Sequence, residues 1–275
     1  MNSKNLVGAV IALGLTAMST SAFAVGGFGL TTDQRLVRLQ TTNPANTRVV
    51  GPLSGFTNGD TALVGIDLRV QDGALYGVGD KGGVYRISTR NASMTLVNTL
   101  SVTLSGTRFG VDFNPAADRL RIVSDTGQNL RHNLASTTLA DDALDYAPGT
   151  PVNSQGATVS GVVAAAYTNN DLNSATGTSM FVIDNNLNQV ALQSPPNNGS
   201  LVVTGALGVD PTDSVGFDIF TNFDANNGTI INNVGYATVL NGSSANLYRV
   251  NILTGSASLL GNIAFPVMDI ALSIE

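Results

Sequence analysis

Cysteine is absent from this sequence, so neither a disulfide framework nor a thiolate-ligated metal site exists. Histidine occurs once, at His132, which excludes a metal site built from several imidazoles and leaves a Ser-His-Asp triad one possible base. No G-x-S-x-G elbow accompanies it, and no phosphate-binding glycine loop sits between a strand and a helix. Glutamate appears only at Glu275 and lysine only at Lys4 and Lys81, although solvent-facing helices draw heavily on both. Tryptophan is missing too, and charged residues make up only 12% of the chain. Taking Lys4 from the 13 basic residues leaves 12 against 19 acidic ones, a balance that disfavours phosphate backbones and anionic lipid. Nucleic acid is therefore not an expected partner.

What remains is a chain that is 43% hydrophobic, in short Val, Ile, Leu and Tyr runs broken by Gly, Asn, Thr and Ser. Such runs have strand length and the punctuation of turns. The predicted class is all-β. The first 24 residues, MNSKNLVGAVIALGLTAMSTSAFA, have one Lys, an apolar run from Leu6 to Met18 and a final Ala22-Phe23-Ala24. That pattern predicts a secretory signal peptide over residues 1–24, cleavage near Ala24 and a secreted or periplasmic domain over residues 25–275. The run falls short of the about 20 residues that a membrane span needs, and no later segment approaches that length.

Internal repetition organises the rest. LVGIDLRV, ALYGVGDKGGVYRIS and MTLVNTL from Leu63 superimpose on FGVDF, RLRIVSDTGQNLRHN and STTLA from Phe109, with Asp125 on Asp80 and Arg131 on Arg86. A later block runs SVGFDIFT, NNVGYATVL, ANLYRVNI and ASLLGNI, and an irregular one begins at ALDYAP. At the C-terminus PVMDIALS is a first strand without successors. Its successors stand at the other end of the chain, as GGFGLTT, QRLVRLQ and TRVVGPL. Five copies of roughly 45–50 residues, one split between the termini, predict a single β-propeller of five four-stranded blades closed by N-terminal strands pairing with the C-terminal strand. A six-bladed ring and a β-sandwich are the alternatives.

Each block's first strand carries an Asp between apolar residues, namely Asp67, Asp112, Asp145, Asp218 and Asp269. Alternation turns each Asp away from its neighbours and toward the axis. Two readings follow. These carboxylates either brace adjacent blades through hydrogen bonds, once per blade, or hold a cation such as Ca2+ in the channel. Repetition favours bracing, because a catalytic set needs different groups in different roles. The third-strand arginines Arg38, Arg86, Arg131 and Arg249 are expected to form a recurring pair with a carboxylate or with turn carbonyls.

The one enriched stretch is GVDFNPAADRLRIVSDTGQNLRHN. Four Arg, three Asp and the only His fall between Arg108 and Asn133. Arg119, Arg121, Asp125, Gln128, Asn129, Arg131 and His132 are the candidate ligand-binding residues, for a sugar or a carboxylate, or else a satisfied polar network at a blade interface. His132 replaces an aliphatic residue of the sister blocks and is expected to pack half-buried. Asp171, Asn173 and the segment NFDANNGTIINN are expected in surface loops.

That stretch, with GLTTDQRLVRLQ, VAAAYTNN, FVID and LYRVN, resembles a bacterial family of secreted proteins classified as a domain of unknown function, from about Phe28 to Ser273. The resemblance implies an exported, propeller-like domain and carries no activity, substrate or catalytic residue. The expected function is that of an exported, non-enzymatic binding module for a small molecule, a glycan or an envelope or extracellular protein, with no cofactor. The alternative is a calcium-assisted hydrolase or lactonase using the channel Asp residues.

Overall fold

The computed structural model describes residues 24–147, 159–173, 175–211 and 214–274, so the expected signal sequence lies, but for Ala24, outside the described residues. The chain opens with β1 (Gly26–Thr31), β2 (Arg35–Gln40) and β3 (Arg48–Pro52). The first complete blade follows as β4 (Leu63–Arg69), β5 (Ala74–Gly79), β6 (Gly83–Ile87) and β7 (Met94–Thr99). The second is β8 (Phe109–Asn114), β9 (Arg119–Ser124), β10 (Asn129–His132) and β11 (Thr138–Ala140). A short β12 (Asp145–Tyr146) precedes the third, formed by β13 (Val162–Tyr167), β14 (Met180–Asp184), β15 (Gln189–Gln193) and β16 (Ser200–Ala206). The fourth is β17 (Val215–Phe223), β18 (Ile230–Asn241), β19 (Ser244–Val250) and β20 (Ala257–Ile263), and the chain ends on β21 (Val267–Leu272).

The first strand of each blade lies on the axis. The strands β4, β8, β13, β17 and β21 pack side by side in that order, and β21 returns to β4. In the fifth blade, ordered β21-β1-β2-β3, the last strand of the chain pairs antiparallel with the first, Gly29 opposite Ile270 and Leu30 opposite Asp269. The expected ring of five blades, closed from both chain ends, is the observed fold.

The third blade departs from the expected division. Leu144-Asp145-Tyr146 is not its inner strand. Asp145 and Tyr146 instead add a short parallel strand outside β16, with Asp145 opposite Ser200. Leu144 and Tyr146 are buried in an apolar cluster there, which explains why an outer-edge segment imitates the apolar-Asp-apolar pattern. The inner strand is β13, Val162-Val163-Ala164-Ala165-Ala166-Tyr167, paired with β14 so that Val182 lies opposite Ala165.

Apolar residues from facing blades fill the joints. Tyr76, Val78 and Val84 of the first blade meet Val111, Phe113 and Ile122 of the second, and Val163, Phe181 and Ile183 of the third meet Phe217, Ile219 and Val250 of the fourth. At the axis there is no room for such side chains. A Cβ on Gly110 would stand 2.5 Å from the Ala165 nitrogen of β13, and one on Gly216 2.5 Å from the Asp269 Cα of β21. Both glycines come two residues before an inner-strand Asp and let neighbouring backbones touch.

Gly110→Ala is therefore expected to destabilise the fold by about 1–3 kcal/mol, the usual cost of forcing an extra methyl into a packed core. Gly26→Ala, at a strand position with nothing within 4 Å of the new Cβ, is expected to leave stability unchanged. Urea unfolding of both variants checks the pair, and equal midpoints would contradict the close-contact reading.

Candidate functional site

Four of the five expected channel carboxylates reach the axis. Asp67, Asp112, Asp218 and Asp269 are all buried, and each accepts a main-chain N–H from the next inner strand. Asp67 Oδ2 accepts from Phe113 at 2.7 Å, Asp112 Oδ1 from Tyr167 at 3.1 Å, Asp218 Oδ2 from Leu272 at 2.6 Å, and Asp269 Oδ2 from Ile66 at 2.8 Å. Asp145 is the exception, being on the outer edge. In its place the inner-strand register puts Ala166, paired with Phe181 as Asp67 is paired with Tyr76. Among the described residues the joint between the third and fourth blades therefore has no carboxylate brace. It is held by the apolar cluster around Ala166 and by the loop after β13, where Asn170 donates from its main chain to Thr221 Oγ1 and from Nδ2 to the Ile219 carbonyl.

Asp67, Asp112 and Asp218 each place one oxygen within 4.8 Å of the others. No Lys or Arg forms an ion pair with any of the four among the described residues. Burial pushes the Asp67, Asp112 and Asp269 carboxyls well above the usual carboxylate range, and mutual repulsion adds to it. Burial likewise pushes Asp218 up to about 6, against the pull of its bonds to Leu272 and Ile219. Donated hydrogen bonds favour the charged form, but here desolvation wins. The trio offers three oxygens to a cation, whereas Ca2+ ordinarily takes 6–8.

The residues of the enriched stretch do not form one site. Asp125 accepts from Thr107 N at 2.9 Å and Thr107 Oγ1 at 2.6 Å, and Asp80 accepts from Thr61 N at 2.8 Å in the sister blade, so both tie down the lead into an inner strand. Gln128 pins the same lead through Ser105 N and the Thr103 carbonyl. His132 is fully rather than half buried: its Nδ1 meets Thr138 Oγ1 at 3.0 Å, its Nε2 has no partner, and burial lowers its pKa. It is a packing residue in a slot that aliphatic side chains fill elsewhere.

Arg119, Arg121, Asn129 and Arg131 do come together. Arg121 is buried and donates to Asn129 Oδ1 at 2.7 Å, Asp141 Oδ2 at 2.8 Å, Asn197 Oδ1 at 2.7 Å and the Tyr167 hydroxyl at 3.2 Å. Arg131 shares Asp141 at 3.1 Å and keeps a buried Nε without a partner. Arg119 reaches back to the carbonyls of Ala117 and Asp118. All three guanidinium-bearing side chains line a cavity of about 250 Å3 between the second and third blades, with Tyr167 and Asn197 on its wall. Asp141, Asn197 and Tyr167 went unrecognised in the sequence, where they lie 20, 76 and 46 residues from Arg121. Among the described residues the recurring arginine pair does not form. Of Arg38, Arg86, Arg131 and Arg249 only Arg131 has an ion pair among the described residues, and Arg38, two residues beyond the Arg86 register, stacks over Phe28 at 5.3 Å.

The ring, its ends joined at β21 and β1 and its inner strands braced by Asp, defines a five-bladed β-propeller. Residues 35–271 match the family described as Domain of unknown function (DUF4394), and the chain belongs to that family. No curated protein matches the chain. Solved structures of similar shape include a protein from Lactobacillus plantarum, with 13% identity, 90% of this chain and 99% of that chain covered, and a TM-score of 0.42. An auxiliary nutrient binding protein from Bacteroides ovatus has 10% identity, 76% and 55% coverage, and a TM-score of 0.43, so this chain spans about half its length. TolB from Acinetobacter baumannii has 11% identity, 91% and 66% coverage, and a TM-score of 0.44. Likeness at this level says nothing of what the chain binds.

The buried carboxylates fix a pH dependence. A carboxyl whose folded pKa is raised stabilises the fold most below its unfolded value near 3.9, and that stability is lost as pH rises through the folded value. The stability advantage of Asp218→Asn over the parent is therefore expected to be roughly 3 kcal/mol larger at about pH 8 than at about pH 4, whatever the amide loses at the second N–H that the carboxylate accepts. Urea midpoints at the two pH values check it. An advantage that stays constant or grows on acidification would show that Asp218 is charged in the fold.

Proposed function

We propose that the protein is exported through residues 1–24 and works outside the cytoplasm as a non-enzymatic binding module, whose ligand presents a carboxylate to Arg119, Arg121 and Arg131. One observation carries the reading. Three guanidinium groups border a single cavity, and one carboxylate, Asp141, pairs with two of them. Arg131, a third exposed, pairs with Asp141 through Nη2, and the rest of its guanidinium edge has donors left for a planar anion. Guanidinium forks match carboxylates in a bidentate geometry, and Asn197 and Asn198 on the same wall suit hydroxyls. Small acids and acidic sugars fit this set.

Isothermal titration with galacturonate, and with glucose as the neutral control, tests the proposal. Galacturonate is expected to bind, glucose not, and Arg131→Gln to weaken the acid about tenfold, the worth of one charge-assisted hydrogen bond. Added salt is expected to weaken binding as well. Equal behaviour of acid and neutral sugar, or indifference to Arg131→Gln, would contradict it.

A second reading, a cation-assisted hydrolase, rests on the convergence of Asp67, Asp112 and Asp218. It requires Ca2+ or Mg2+ to raise the melting temperature, because a ligand of the folded state alone stabilises it. It further requires Asp112→Asn, and not Asp145→Asn, to abolish that rise. No shift with either ion would end this reading.

A further inference from the structure

The broken joint between the third and fourth blades changes one end of the channel. The inner strand β17 is nine residues long, against six or seven in the other inner strands, and its partner β18 is twelve, so their hairpin overhangs the end where the inner strands finish. Asn169 and Asn233 exchange two hydrogen bonds, at 3.0 and 2.7 Å, and Asn170 bonds Thr221 and Ile219 of β17. These four bonds fasten the loop after β13 to the hairpin. At its tip Leu172 is held 72% exposed.

Leu172 faces a cleft of about 700 Å3 that also collects Phe28, Leu68, Val70, Phe223 and Ile274, side chains from the fifth, first and fourth blades. Its volume lies in the range of small-molecule sites, and its wall is mainly apolar. Two charged residues border it. Asp171 is turned back on its own loop, accepting the Asn173 N–H at 2.8 Å. Arg38 has no ion pair among the described residues, and its guanidinium carbon lies over the Phe28 ring, 5.3 Å from the centroid. A cation stacked in this way keeps its edge donors free.

We infer that this channel-mouth cleft is a second ligand site, for a small amphipathic acid whose alkyl or aryl body lies against Leu172 and Phe223 and whose carboxylate meets Arg38. Charge complementarity selects the occupant: an apolar wall alone would take any hydrophobe, whereas one unpaired guanidinium at its edge favours an anion over an alcohol of the same length. The site shares no residue with the cavity at Arg131, and its fate does not depend on that proposal.

Decanoate and decanol are the probes, titrated into the intact mature protein by calorimetry. Decanoate is expected to bind with one site per chain and about tenfold more tightly than decanol. Arg38→Gln is expected to erase that preference while leaving decanol binding unchanged. Leu172→Ser, at an exposed loop tip whose anchors are Asn169 and Asn170, is expected to weaken both ligands without moving the melting temperature. Arg131→Gln is expected to change neither. The inference is overturned if decanoate does not saturate one site, if decanol binds as tightly, or if both cleft substitutions leave decanoate binding intact.

Discussion

A carboxylate on one inner strand accepting the main-chain N–H of the next sets the spacing of this ring. It operates at four of the five joints, through Asp67, Asp112, Asp218 and Asp269. Inner strands of different blades do not form a ladder with one another, so their facing N–H groups would otherwise go unpaired in a buried place, at a cost of about 1–3 kcal/mol each. Aspartate is short enough to reach across only where backbones touch, and Gly110 and Gly216 supply that contact. The cost is a set of buried acids with no basic partner among the described residues, which the fold relieves by favouring their protonated forms.

The fifth joint is where symmetry gives way. With Ala166 in place of Asp, the third and fourth blades are held by apolar packing and by an Asn169–Asn233 and Asn170–Thr221 clasp outside the ring. That clasp carries Leu172 and Phe223 over the channel mouth. The second and third blades differ from the repeat in another way: Arg121 crosses the interface to Asn197 and Tyr167 of the third blade. Repeated residues brace the scaffold, and both candidate ligand sites lie where the repetition fails. A ring whose joints are equivalent has no reason to bind anything at one joint rather than another.

The same distinction governs what was legible in the sequence. Blade count, closure through β21 and β1, and four axial Asp residues each repeat with a fixed neighbourhood, so comparison of blocks exposed them. Asp145 misled because Leu144 and Tyr146 flank it as the axial Asp residues are flanked, although their burial comes from the outer edge of β16. The run of three alanines in β13 carried no polar mark and gave no hint of the axis. At the enriched stretch, composition located Arg119, Arg121 and Arg131 but not the division of labour among their neighbours. Asp125 and Gln128 bond to segments some twenty residues earlier in the chain, and His132 turns into the core. The cleft at the channel mouth was invisible, since Phe28, Leu68, Leu172 and Phe223 are ordinary apolar residues brought together only by ring closure.

Amide hydrogen exchange read residue by residue at neutral pH tests the bracing most directly. If the inner carboxylates hold the joints, the N–H groups of Ile66, Phe113, Tyr167 and Leu272 exchange only when the whole ring unfolds, at the slowest rates in the molecule. Exchange at these four positions as fast as in the exposed turns, with the strand ladders still protected, would show that the blades are held together by something else.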